Sequence, residues 1–542
     1  MAKESDYRIS DIYQGGYSSL SPPSGWTSNN YIKAGDLGMT TDPRNANILQ
    51  EVSSKLSAGM KNIEVTAIQP EILDAIPHQH MKEVNRLAKL TGIDVSMHGP
   101  LIEASGVTQQ GFAESERELA ERKIAHALIR SRDLNPDGNI PVTFHSASGL
   151  PGSQFLPPSE REKAKSDYKK MIAINRDSGK MIPLEPEVEY RPGGKEIQEV
   201  KRTAESRLKS ANETEWKNSM FQIEIHRENA ERILQDIHPI AIAQFAQINS
   251  GKLDPSSLSP NEISQIKKVS SAFEFIEQAK LSADSLFGKA YEIAKEDSDE
   301  NQINTLKEIS KIYGETVGLE DGKIKDPEKY LNPQIYSGAL YNLTRGLERA
   351  PPKMYVPVEE FAIEKSGQTY GNAAFKAYKE FKGEHVPMMV IENPPAGGGL
   401  STGGDIRNIV VASRNSFVEN AMKSKKDGGL EMSEEDARKQ SEKLIGATWD
   451  VGHINMLRSQ GYSSEDIVAE TEKVAPYVKH IHLSDNFGME HTELPMGMGN
   501  VPLKEMMEKL GKQGFEAKKV IEAAHWWQHM KSSPFQESLE GI

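Results

Sequence analysis

The 542-residue sequence predicts an α/β fold, a (β/α)8 TIM barrel with a large, mainly helical insertion after the fourth strand. Two observations lead to this fold class. Short apolar runs alternate with helical patterns in the first and last parts of the chain, and about eight such runs can be counted, the number of strands in this barrel. Between these two parts, the composition of residues 151–384 differs and is rich in Glu, Lys, Gln and Ala.

The first half of the barrel is predicted within residues 31–150, after an N-terminal extension of residues 1–30. Period-two and period-3.6 patterns predict strands at 31–40, 61–68, 93–100 and 140–149, and helices at 46–59, 80–92 and 113–132.

The second half is predicted within residues 385–530, before a C-terminal tail of residues 531–542. Strands are expected at 386–395, 444–453, 478–486 and 517–525, with helices at 463–477 and 503–514 and a capped helix that starts near Met432.

The insertion of residues 151–384 opens with a predicted hairpin whose turn contains Asp177, Ser178 and Gly179. From about Lys195 the pattern is helical. Long amphipathic helices fit antiparallel packing, a lid or a subunit interface equally well, so a homo-oligomer formed through the insertion is one possibility.

Composition limits the partners and the metal ligands that this protein can have. The formal net charge of −14 argues weakly against a nucleic-acid partner. There is no cysteine, so any bound metal must be held by His, Asp and Glu. The N-terminus lacks a signal-peptide pattern and no apolar run approaches a membrane span, so we expect a cytoplasmic protein without a membrane partner.

The run VKHIHLSDNFG at residues 478–488 places His480 and His482 on one face of a strand. Either these histidines are solvated on an edge strand, or they belong to a metal or catalytic site at the strand end. The second interpretation needs partners from other strands.

Such partners occur at the ends of the neighbouring predicted strands. In this barrel the carboxyl ends of the strands surround the active site. Many ionisable groups at one rim would be unfavourable in an apolar setting unless a cation neutralised the carboxylates. The strand-end residues are His98, His145, Glu392, Asp450, His453, His482, Asp485 and Glu522.

In order, the motifs HGP, FHSASG, VIEN, WDVGH, HIHLSDN, LPMGMGN and VIEA resemble the xylose isomerase-like TIM-barrel superfamily. This superfamily contains sugar and sugar-phosphate isomerases and epimerases, and the endonuclease IV-type nucleases (AP endonuclease family 2). The resemblance covers roughly residues 30–150 and 385–527.

The resemblance implies one divalent metal (Mn, Mg, Co or Zn) held by Glu392, Asp450, His482 and Glu522. It also implies that Glu392 and Glu522 are the catalytic acid/base pair of a metal-dependent isomerase or epimerase acting on a small carbohydrate. His98 and His145 would orient substrate or hold a second metal.

The nuclease branch is the first alternative, in which three zincs cut DNA at abasic sites. This chain has His491 and Glu493 where that branch has an Asp-X-His pair. At the other seven ligand positions of the branch it has suitable residues, which are His98, His145, Glu392, Asp450, His453, His482 and Glu522. The HLSDN and LPMGMG motifs and the acidic charge favour the isomerase branch. A further alternative is a non-catalytic barrel whose insertion is an interaction scaffold.

Overall fold

The computed structural model describes residues 32, 37–57, 60–193, 196–523, 526, 530 and 533–541. The predicted extension of residues 1–30, and most of residues 31–36 at the start of the first predicted strand, lie outside this part of the chain.

Eight parallel strands form a closed barrel, which confirms the predicted fold class. The first strand closes the barrel by pairing with the last, with Leu37 opposite Lys519. The strands are β1 (Leu37–Thr40), β2 (Asn62–Thr66), β3 (Asp94–His98), β4 (Pro141–His145), β5 (Met388–Glu392), β6 (Ile445–Asp450), β7 (Val478–Leu483) and β8 (Lys518–Ile521).

Helices follow the strands and supply the outer layer, as a right-handed β–α–β connection requires. The helix predicted near Met432 begins at Glu434, where the Ser433 side chain accepts a hydrogen bond from the backbone N–H of Asp436. The helices of this layer are Ile48–Ser57, Pro70–Ala75, His78–Thr91, Glu114–Ser131, Val358–Glu380, Gly403–Met422, Glu434–Leu444, Val451–Asn455, Ser464–Val474, Leu503–Glu516 and Pro534–Gly541.

Side chains of the strands alternate between an apolar layer and a polar barrel interior. Ile63 and Val65 of β2 are buried in the main apolar core, whereas Glu64 between them contacts His480 of β7. In the same interior, the hydroxyl oxygens of Thr143 and Thr448 lie 3.0 Å apart. Parallel barrel strands are normally apolar on both faces, so a polar interior indicates a buried site.

The segment after β4 forms hairpins before it becomes helical. The turn predicted at Asp177 to Gly179 joins strands Tyr168–Asn175 and Met181–Leu184, and the Asn175 side chain accepts hydrogen bonds from two backbone N–H groups in it. A second hairpin pairs Glu187–Gly193 with Glu196–Arg202.

Several other elements of the described chain are short. Strands lie at Val107–Thr108, Gly111–Phe112, Gln154–Phe155, Leu319–Glu320, Lys323–Ile324 and Tyr355–Pro357, and a helix lies at Pro158–Ala164.

The chain divides into two compact units. The described parts of Met1–Glu205 and Val356–Ile542 form the barrel unit, and Ser206–Tyr355 form the second. The second unit has its own apolar core, which includes Trp216. The predicted insertion of residues 151–384 is wider than this unit, since it also contains the barrel helix Val358–Glu380. The helices of the second unit are Ala204–Leu234, Pro239–Asn249, Pro260–Glu296, Glu300–Val317, Pro327–Tyr330 and Pro333–Glu348.

Of the helices in the described ranges, none is both long enough and apolar enough to span a lipid bilayer.

Candidate metal centre

Four side chains from the last four strands meet at one end of the barrel. Glu392 ends β5, Asp450 ends β6, His482 lies near the end of β7 and Glu522 follows β8. Each offers a donor atom, and these atoms all lie within 4.8 Å of one another. Glu392, Asp450 and His482 are buried, and the Glu522 side chain is 18% exposed. The structure therefore brings together the four residues predicted as metal ligands.

His482 stands at the centre of this group. Its Nδ1 atom lies 2.7 Å from Oε1 of Glu392 and 3.0 Å from Oε2 of Glu522. Burial alone would lower the pKa of His482, but the carboxylates of Glu392, Glu522 and Glu64 outweigh it and hold that pKa well above its usual value. The same imidazole lowers the pKa of Glu522 to about 2 against the opposing effect of burial.

Asp450 shows that the group carries more negative charge than its histidines balance. Burial, followed by the charges of Glu522 and Glu392, raises the pKa of Asp450 well above its usual value. Its Oδ1 atom accepts a hydrogen bond from the backbone N–H of His453, but its Oδ2 atom is buried without a hydrogen-bond partner among the described residues. A cation fits here because it would neutralise the surplus carboxylate and occupy that oxygen.

Glu392 also reaches a second pair of histidines through its other oxygen. Oε2 lies 3.2 Å from Nε2 of His98 and 3.3 Å from Nε2 of His145. Burial lowers the pKa of His145, whereas at His98 the Glu392 carboxylate outweighs burial and raises the pKa to about 9. One carboxylate thus connects two donor sets, and each of its oxygens faces one of them.

A third group lies beside the first. Nδ1–H of His453 donates to the backbone oxygen of Asn393 at 2.8 Å, and its Nε2 atom lies 2.8 Å from Nε2 of His491. Burial lowers the pKa of His491 to about 4, and burial with the nearby carboxylates raises the pKa of Glu493 to about 8. The His491 and Glu493 side chains lie 3.6 Å apart.

Asp485 has a different role from the predicted one of an additional metal or substrate contact. Its carboxylate accepts hydrogen bonds from four backbone N–H groups, those of Asn486, Gly497, Gly499 and Val501. These bonds occupy both oxygens and fasten the loop that follows β7. Asp485 therefore supports the rim of the site instead of joining the donor cluster.

The sequence did not predict two residues of the barrel interior that contact the candidate site. Glu64 in β2 is fully buried and lies against both histidines of β7, and Asn393 receives the Nδ1–H of His453. Glu64 could have been recognised, because an acidic residue at the centre of the strand NIEVT is unusual in a buried strand. Asn393 carried no such signal.

A family model described as "Xylose isomerase-like TIM barrel" matches residues 424–540 of the chain. This segment contains β6, β7 and β8, and with them Asp450, His482 and Glu522. The closed barrel of eight parallel strands has the fold that this description names. The match supports the predicted superfamily over this part of the chain.

Two individual proteins are also similar to this chain. The "Uncharacterized protein MJ1311" of Methanocaldococcus jannaschii is 32% identical over 74 residues, which cover 14% of this chain and 24% of that protein. The match therefore spans about a quarter of that relative. A crystal structure of a D-tagatose 3-epimerase-like protein is 11% identical with a TM-score of 0.34, over 93% of this chain and 98% of the other. Neither similarity specifies a reaction for this barrel.

Proposed function

We propose that this protein is a divalent-metal-dependent isomerase or epimerase of a sugar, sugar phosphate or related polyol. The observation that carries the proposal is that Glu392 at the end of β5 and Glu522 just after β8 both contact Nδ1 of His482 within one donor cluster. A pair of carboxylates on two sides of one substrate position can remove a proton from a carbon and return it.

Glu392, Asp450, His482 and Glu522 would hold the cation. Three carboxylates and one imidazole form a donor set that suits Mn, Mg, Co or Zn. When bound, the metal would polarise a substrate carbonyl and the neighbouring hydroxyl and so acidify the carbon between them.

The two glutamates differ in their surroundings. Glu522 is partly exposed, so its carboxylate can meet the substrate directly. Glu392 is fully buried and its Oε2 atom faces His98 and His145, which can supply or take up protons as its charge changes. His453 and His491, beside the cluster, would contact substrate hydroxyls.

Solvent-proton exchange tests this proposal across a panel of candidate sugars. The protein loaded with Mn²⁺ is incubated in D₂O with aldoses, ketoses and their phosphates, and deuterium at the carbon next to the carbonyl is followed by NMR. We expect exchange with at least one sugar, abolished in Glu522→Gln. The proposal is wrong if the metal-loaded protein exchanges no substrate while a known metal-dependent epimerase does so under the same conditions.

A zinc phosphodiesterase acting on abasic DNA is the second candidate, and a specific arrangement favours it. Oε2 of Glu392 faces His98 and His145, and the His453 and His491 nitrogens lie 2.8 Å apart, so two further metals would find nitrogen donors here. The net charge of −14 opposes binding to DNA phosphates. Nicking of a duplex with one abasic site by the zinc-loaded protein would establish this candidate over the first.

A further inference from the structure

Beneath the metal centre lies a second layer of polar side chains in the barrel interior. Glu64 of β2 and His480 of β7 are fully buried, as is His482, which belongs to the upper donor cluster. Ser96 of β3 completes the layer, and its hydroxyl donates to Oε2 of Glu64 at 2.9 Å. The layer therefore joins three strands and ends at a predicted metal ligand.

His482 connects the two layers through its two ring nitrogens. Nδ1 faces Glu392 and Glu522, whereas Nε2 lies 3.0 Å from Oε1 of Glu64. Nε2 of His482 and Oε1 of Glu64 are buried, and neither has a well-aligned hydrogen bond among the described residues. Because each lacks any other partner and the two lie at hydrogen-bonding distance, a small rotation of the ring satisfies both.

The other oxygen of Glu64 is already held. Oε2 accepts from the Ser96 hydroxyl and from Nε2–H of His480, both at 2.9 Å. These two donors fix the plane of the carboxylate, so that Oε1 remains directed at His482. With a cation at Nδ1, the remaining ring proton would lie on Nε2, where this buried carboxylate would accept it.

We propose that Glu64 is a positioning residue for the metal centre: it takes the Nε2–H of His482, so that the lone pair of Nδ1 is presented to the cation. The proposal rests on the proposed function in so far as His482 binds a metal. A carboxylate behind a ligating histidine fixes the ring orientation and increases its basicity, and loss of such a group typically lowers metal affinity by about 10–100-fold.

The test is a Co²⁺ titration of the full-length protein, followed by the visible absorption of the bound ion. Glu64→Gln keeps the shape of the side chain but removes its charge, and Glu64→Asp keeps the charge but withdraws it from Nε2. We expect Glu64→Gln to raise the Kd for Co²⁺ by about 10–100-fold and to shift the absorption band, with Glu64→Asp between it and the wild type.

Thr143→Val is the matched control, because Thr143 is equally buried in the barrel interior but bonds Thr448 instead of a metal ligand. It should change the Kd less than about threefold, since it leaves the donor cluster and its supports in place. Circular dichroism of each variant verifies that it is folded. If Glu64→Gln does not fold, the Kd of Glu64→Asp for Co²⁺ tests the proposal in its place.

Two failures can be told apart. If the wild type binds Co²⁺ and folded Glu64→Gln and Glu64→Asp bind it with the same Kd and the same spectrum, Glu64 does not position His482 and the proposed function is unaffected. If the folded wild type binds no Co²⁺, the metal-dependent function falls, and the role of Glu64 falls with it.

Discussion

Glu392 and His482 are 90 residues apart in the sequence, yet Oε1 of one lies 2.7 Å from Nδ1 of the other inside the barrel. Strands β5 and β7 are not neighbours in the sheet, since β6 lies between them. Their side chains meet only because both point into a closed cylinder. The contact therefore depends on the whole barrel.

Replacement of Glu392 by Gln should abolish tight metal binding. Glu392 supplies a charged oxygen to the donor cluster, so we expect the Kd for Mn²⁺ to rise by at least about 100-fold, more than for a group that only supports a ligand. Isothermal titration calorimetry measures this Kd. Glu103→Gln is the control, because Glu103 is a half-buried carboxylate that accepts hydrogen bonds from Ser105 and Ser148. Equal losses in the two variants would mean that the effect is not specific to the cluster.

Asp485→Asn should weaken folding without removing the metal. The amide nitrogen of Asn would face backbone N–H groups that now donate to a carboxylate, so the free energy of unfolding should fall by about 2–3 kcal/mol. Urea denaturation measures the fall, and metal analysis of the folded variant should still find the wild-type content. Loss of the ion from a fully stable variant would instead make Asp485 a ligand.

Glu359 should make stability depend on pH. Burial raises its pKa from 4.5 to about 7, while its carboxylate accepts hydrogen bonds from the backbone N–H and the hydroxyl of Ser153. The stability that its protonated form contributes is fully present below about pH 4.5 and is lost as the pH rises through about 7. Between pH 5 and 8 the wild type should therefore lose up to about 3 kcal/mol relative to Glu359→Gln.

Urea denaturation of both proteins in chelator measures this difference, because titration of the donor cluster is common to both and cancels. Parallel pH profiles for the wild type and Glu359→Gln would show that this carboxyl is not the titrating group.

Trp216→Ala should destabilise the helical unit Ser206–Tyr355. The indole is buried in the core of that unit, and its Nε1–H donates to the backbone oxygen of Leu347 at 2.9 Å. Removal of such a side chain typically lowers the free energy of unfolding by about 3–5 kcal/mol. Limited proteolysis should then cut within residues 206–355 faster than in the wild type. The exposed Phe221 of the same helix provides the control, since Phe221→Ala should leave the cleavage rate unchanged.

The barrel strands could be predicted because each is a short apolar run that ends in polar residues. The strand ends also held the candidate site residues. The family resemblance selected Glu392, Asp450, His482 and Glu522 from among them, and these four side chains meet in the structure. The site residues that could not be predicted are defined by contacts between strands that are distant in the sequence. Glu64 is one acidic residue in an apolar run, and only the barrel shows that it lies against His480 and His482.

Local signals also misled the prediction in two places. The helix Gly403–Met422 was missed, because glycines in its first turn obscure the capping box that Thr402 forms with Asp405. Asp485 follows the strand end like a ligand, but its oxygens are taken by the backbone of residues 486–501, a contact that the sequence pattern does not reveal.

The number of metal ions bound per folded chain tests the proposed centre most directly. The purified protein is loaded in turn with Mn²⁺ and Zn²⁺, desalted and analysed by inductively coupled plasma mass spectrometry, beside Asp450→Asn. We predict one ion per wild-type chain and a loss of that ion in the variant, because Asp450 belongs to the only four-residue donor group found among the described residues. Three zincs per chain, or no ion bound by the folded wild type, would contradict it.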